Sequence, residues 1–243
     1  MDKTFVAIIL TGLGLAGAAA GEQPLEARAT LSYHGTGGNT QNHGGAAAGE
    51  AEYARGRWIV DGGGDYSVSV SDGEKKGESA GLSAGAKYFL TGGERLYGRY
   101  KGEWRRNVFS GFEHRFTNFA GLGAYLIKSD PQELTVEGGP NYVNERYRDD
   151  SAKEPASFVG AHAGVDYQVF LNSAAEVEAS AAWDVDLGNT AEQLLTAKTT
   201  LRVKVATWLD LAATEKIEWD NVPPEGYGEL DVTTTVGLTV RNY

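Results

Sequence analysis

The sequence predicts an all-β fold: one twelve-stranded antiparallel up-and-down transmembrane β-barrel. Three observations predict it. Apolar and polar residues alternate with period two over segments longer than ordinary globular strands need. Glycine, at 33 of 243 residues, is twice ordinary usage and disfavours long helices. Short connections alternate with longer polar ones, as an up-and-down barrel in an outer membrane requires.

The elements follow in chain order. Residues 1–20 read as a secretory signal, with Lys3 as the positive start, Phe5 to Leu15 as the apolar run and Ala18 to Ala20 as a small-residue cleavage site. Gly12 and Gly14 interrupt that run, which is too short to span hydrocarbon. Residues 21–243 form the barrel. The first four segments are 27–36, 45–54, 57–71 and 78–90. They place Glu50, Glu52, Asp61, Asp65 and Lys87 on the polar face. Segment 95–106 sets Leu96, Gly98, Tyr100, Gly102 and Trp104 against Arg99, Lys101, Glu103 and Arg105. Segment 113–127 is ambiguous, because Ala120, Leu122, Ala124 and Leu126 compete with Phe119, Tyr125 and Ile127 for the apolar face.

Segments 133–147 and 156–171 come next, the second setting Val159, Ala161, Ala163, Val165 and Tyr167 against His162, Asp166 and Gln168. Segment 174–187 is the clearest: Val177, Ala179, Ala181, Trp183 and Val185 oppose Glu176, Glu178, Ser180, Asp184 and Asp186. A strand with four carboxylates on one side cannot be buried on both. Val177 is expected to face acyl chains near mid-depth and Glu178 to face water. Segment 191–205 carries Lys198, Arg202 and Lys204 on its polar face, so pairing the two sets acids opposite bases. Segments 208–220 and 229–243 complete the ring, and Glu215 stands on the otherwise apolar side of the former.

Alternation alone leaves open which face points outward. A twelve-strand barrel has a backbone diameter of about 24 Å, too wide for a face of alanine, glycine and valine to fill. Aromatics also gather at the ends of the apolar faces, with Trp58, Tyr88 and Tyr167 near short turns and Trp104, Tyr142, Trp183 and Trp219 near long loops. Such girdles belong where lipid meets water. The apolar face is therefore assigned to lipid, the location to the cell outer membrane, and the surrounding partners to outer-membrane lipids and lipopolysaccharide. The final strand, running to Tyr243, is the expected signal for the barrel-assembly machinery.

Chemistry is sparse. The chain has no cysteine, which removes disulfides, thiol nucleophiles and cysteine metal sites. A net charge of −11 without a basic stripe argues against nucleic acid. His34, His43, His114 and His162 lack metal-motif spacing, and no Gly-x-Ser-x-Gly elbow occurs. No enzyme activity and no cofactor are expected. His162 is expected to pair with a lumenal carboxylate such as Asp166. The run from Gly35 to Thr40 lacks the helix and lysine of a phosphate cradle, and Asp149, Asp150 and Glu154 read as a solvated loop. Candidate lumen-lining residues are Arg99, Lys101, Glu103, Arg105, His162, Asp166, Glu176, Glu178, Asp184, Lys198, Arg202 and Lys204. They suit a narrow passive channel for ions or small polar solutes, or a closed barrel plugged by salt bridges. An outer-membrane lipid hydrolase is a distant third reading.

Several short motifs occur in a shared order: Leu31-Ser32-Tyr33, Thr36-Gly37-Gly38-Asn39-Thr40, Gly56-Arg57-Trp58, Ala86-Lys87-Tyr88-Phe89-Leu90, Gly121-Leu122-Gly123-Ala124-Tyr125, Gly138-Gly139-Pro140-Asn141-Tyr142 and Asn221-Val222-Pro223-Pro224-Glu225-Gly226. In that order the chain resembles the domain-of-unknown-function 481 family, labelled salt-induced outer-membrane proteins. The resemblance implies the barrel and its location. It implies no activity or substrate, and leaves a structural, envelope-stress role beside the channel. Tyr243 departs from the usual pattern, because Leu238 and Val240 leave it out of phase with the apolar face.

Overall fold

The computed structural model describes residues 25–36, 42–71, 74–107, 112–147, 156–223 and 228–242. The expected signal segment, residues 37–41, Asp149, Asp150, Glu154, Glu225 and Tyr243 lie outside the described residues. Twelve strands form: β1 (Leu25–Thr36), β2 (Asn42–Arg55), β3 (Trp58–Ser71), β4 (Glu74–Phe89), β5 (Leu96–Asn107), β6 (Phe112–Ser129), β7 (Gln132–Tyr147), β8 (Ala156–Asn172), β9 (Ala175–Asp186), β10 (Gln193–Ala206), β11 (Leu209–Asp220) and β12 (Leu230–Arg241). Each strand pairs antiparallel with its neighbours in sequence, and β1 pairs with β12 from Arg28↔Arg241 to His34↔Thr235 to close the ring. Closure leaves no strand edge unpaired, the condition for a sheet to stand in lipid.

The barrel is inside-out relative to a soluble one. Large apolar side chains lie bare on its outer surface, among them Leu31 at 68%, Leu122 at 56% and Leu238 at 49% exposure. Buried positions include Glu145, Glu176, Arg202 and Asp210. Acyl chains, rather than water, suit such an exterior. Two residues join β2 to β3, β6 to β7, β8 to β9 and β10 to β11 at one rim; the expected lengths fail at two places, since β4–β5 takes six residues at that rim and β3–β4 only two at the other. Gly56 takes φ +60° between β2 and β3, a conformation that favours glycine.

The competing faces of β6 are reconciled by a bulge. Ala120, Leu122 and Ala124 point outward, while Phe119 and Tyr125 point inward and are buried. The register with β7 then shifts between Tyr125 and Ile127, so Ile127, opposite Leu134, returns to the outer face. One extra residue lets both apolar sets be used.

A second irregularity lies beside it. Pro140 has no amide hydrogen to give the ladder, and the β6–β7 pairs run from Phe119↔Asn141 to Leu122↔Gly138 with nothing paired between. There the backbones crowd: a side chain on Gly139 would stand 2.6 Å from Gly121 Cα and 3.3 Å from the Phe119 ring, and one on Gly123 would collide with Tyr97. Aromatic rings laid over bare glycines thus seal this wall. Gly139→Val is expected to cost about 1–3 kcal/mol by overpacking, read as a lowered denaturant midpoint of the folded barrel in lipid vesicles.

Candidate functional site: the charged lumen

Period two fixes what the bore contains. With the apolar set outward, Arg99, Lys101, Glu103, Arg105, His162, Asp166, Glu176, Glu178, Asp184, Lys198, Arg202 and Lys204 all lie on the inward face. The aromatics Trp58, Tyr88, Trp104, Tyr142, Tyr167, Trp183 and Trp219 all lie outward. Arg241, set by alternation on the polar face of the last strand, points inward; sequence reasoning missed Arg28, Arg115, Glu137, Glu145, Asp210, Lys216 and Glu218, which also point inward. Extending the alternation of each strand to its ends identifies them.

At the short-turn end the charges form a lattice. Arg28 on β1 donates to Glu178 on β9 at 2.8 Å and stands 3.6 Å from Glu50 on β2. Since β10, β11 and β12 lie between β9 and β1 in the wall, the first contact is a chord across the bore. Arg202 pairs with Glu178 and lies 3.6 Å from Glu176. Arg241 stands 3.7 Å from Glu176 and 2.9 Å from Asp210. The expectation that β9 and β10 set acids opposite bases holds directly for Glu176↔Arg202, whereas Lys198 falls opposite Ser180.

Midway along the bore, Arg99 pairs with Asp61 and lies 3.8 Å from Glu137, which accepts a 2.9 Å hydrogen bond from the Tyr97 hydroxyl. Lys87 stands over the Tyr97 ring at 5.2 Å. His162 contacts Asp184 through Nδ1 at 2.7 Å, with the Phe119 ring 4.5 Å away. Asp166 is therefore not its partner. The register puts His162 opposite Asp184, and Asp166 lies two pleats further along the same face. Among the described residues no serine or threonine hydroxyl hydrogen-bonds to His162, and no group of side chains is placed to hold a metal ion.

Toward the loop end the walls meet. Arg105 on β5 pairs with Glu103 and reaches to 3.9 Å from Glu218 on β11, the strand half the ring away. Glu218 is also held by Lys216 at 2.8 Å. Beside them, Arg115 on β6 pairs with Glu145 and stands 3.9 Å from Asp220 on β11. A cavity of about 600 Å³ runs past this layer, lined by Lys87, Arg99, His162 and Asp166 on its short-turn side and by Pro223, Gly228 and Glu229 at the loop end. A second cavity, of about 570 Å³, opens at the short-turn rim beside Phe170, Arg202, Lys204, Asp210 and Arg241.

Three solved structures share this architecture. The NanC porin aligns with TM-score 0.56 and 8% identity over 90% of this chain and 100% of its own. An outer-membrane channel named COG4313 from Pseudomonas putida F1 aligns at 0.53 and 7%, over 90% and 95%. The KdgM porin aligns at 0.50 and 9%, over 88% and 99%. No curated protein matches the chain. Residues 29–241 match the family described as "Protein of unknown function, DUF481".

Proposed function

The chain belongs to the DUF481 family of proteins of unknown function, and on that footing we propose that it is a narrow passive outer-membrane channel for ions or small polar solutes. The observation that carries this reading is the polar cavity of about 600 Å³ running along the bore of a barrel whose exterior is apolar. The likeness to two porins and an outer-membrane channel in fold supports it. In this reading the short turns face the periplasm and the loops face outward. Selectivity lies with the charged walls. Inward acids such as Glu52, Asp61, Glu137, Asp166, Asp184 and Glu218 outweigh the bases between them, which favours cations over anions.

The ion pairs that cross the bore favour a second reading, a closed barrel with a structural role. Planar-bilayer recording of the refolded protein separates the two. A channel gives discrete cation-preferring steps, and Arg105→Ala, which removes the arm reaching Glu218, raises their conductance several-fold. Silence from both wild type and Arg105→Ala would leave the plug.

A further inference from the structure

We infer that the outer face of β10, β11 and β12 is a contact surface for a second copy of this chain within the bilayer, centred on Glu215. The inference rests on the lipid-facing assignment of the exterior and is independent of conductance. Register places Thr199, Glu215 and Thr234 side by side on three adjacent strands. All three point outward and are exposed. On the same strand, Trp219 lies outward four residues toward the loops, and the exposed Trp208 lies at the short turn below. Tryptophans settle at the two membrane interfaces, so Glu215 stands between them, within hydrocarbon. Among the described residues it is the one charged side chain on the outer face more than four residues from either end of its strand; Glu78, nearer the loop end of β4, is paired with Lys75 and the Tyr66 hydroxyl, whereas none of the three makes a side-chain hydrogen bond or ion pair.

A carboxyl group in acyl chains lacks any donor or acceptor, and an ionisable residue there calls for a partner. Lipid headgroups lie at the wrong depth. A second copy of this chain inserts in the same orientation and brings the same two hydroxyls and carboxyl to the same height. The patch is thereby self-complementary, with threonine hydroxyls of one copy donating to the Glu215 carboxyl of the other, as an isologous two-fold contact requires. Its surroundings permit close approach, since Ala179, Ala181, Ala197 and Ala213 share that outer face. Small residues with a polar centre are what membrane-embedded contacts between proteins use.

The absence of native cysteine makes the test clean. Full-length Thr234→Cys and Thr199→Cys are inserted into phosphatidylethanolamine and phosphatidylglycerol vesicles and treated with an oxidant or a short bis-maleimide. Leu122→Cys, on the opposite side of the ring, is the collision control. Dimer is expected from the patch positions and not from Leu122→Cys. Adding Glu215→Leu to either patch variant is expected to lower the dimer yield several-fold, while Glu215→Gln, which keeps hydrogen-bonding atoms, largely preserves it. Equal capture at Leu122→Cys, or a yield indifferent to Glu215→Leu, overturns the inference. Sedimentation of wild type and Glu215→Leu in detergent gives the same decision without thiols: an inserted barrel that is monomeric in both removes the contact alone. Protein that stays dispersed without detergent removes the lipid-facing assignment with it.

Discussion

Replacing Leu122 by arginine is expected to destabilise the barrel by about 2–4 kcal/mol, the cost of a cation on the lipid face at mid-depth. Leu122 is 56% exposed on the outer surface. Its cross-strand neighbours are Gly98 and Gly138, so no flanking side chain offers the guanidinium a partner. Seven residues separate it from the end of β6 at Ser129 and ten from Phe112, too far for a long side chain to reach either interface easily. The check is the shift in guanidinium midpoint for unfolding from phospholipid vesicles. Val177→Arg is the comparison and is expected to cost about 0–1 kcal/mol, the near-interface value. Sequence reasoning set Val177 near mid-depth. The structure corrects that, because β9 begins at Ala175, directly after the short turn, and Val177 is its third residue. An equal cost at the two positions would contradict the placement of the lipid layer on the outer face.

What the sequence disclosed is what period two can carry. All twelve strands and the inward set from Arg99 to Lys204 follow from alternation, because each side chain's face depends only on its own strand; connection lengths followed less closely, at β3–β4 and β4–β5. Relations between strands were less legible. The β6 bulge at Leu126 was invisible because either phase of that segment offers an apolar face. His162 was matched to Asp166 by nearness along one strand, whereas its partner was decided by the stagger of β9 against β8. Contacts across the bore, such as Arg105 with Glu218 and Arg28 with Glu178, depend on the shear and tilt of the closed ring. No local pattern encodes which residues of opposite walls share a height. The crowding of Gly121 and Gly139 beneath Phe119 belongs to the same class: both glycines stood in recognisable motifs, but only the pairing of β6 with β7 brings them together.

The largest single effect is expected from Arg202→Ala. Its side chain is 8% exposed and lies against two carboxylates on alternate residues of β9, Glu176 at 3.6 Å and Glu178 in direct pairing. Removing one partner of a buried ion pair typically costs about 3–5 kcal/mol, because the remaining charge stays desolvated. Here two carboxylates would be left. Glu178 would keep Arg28, and Glu176 would keep Arg241, which Asp210 already engages. Lys198→Ala separates this network effect from loss of positive charge in general. Lys198 is on the same strand and face, exposed to the bore and without an ion pair among the described residues, and its removal should fall within the range of about 0–1 kcal/mol seen for solvated charges. Adding Glu178→Ala to Arg202→Ala should recover part of the loss, the non-additivity expected of residues in contact. Both costs are read from denaturant midpoints in vesicles. The comparison also revises what facing the lumen means for Glu178: Glu178→Arg would set a third guanidinium against Arg28 and Arg202, so inward orientation alone does not make a charge reversal mild. If Arg202→Ala and Lys198→Ala proved equally harmless, the lattice at the short-turn end would be loose and hydrated rather than a tightly paired cluster.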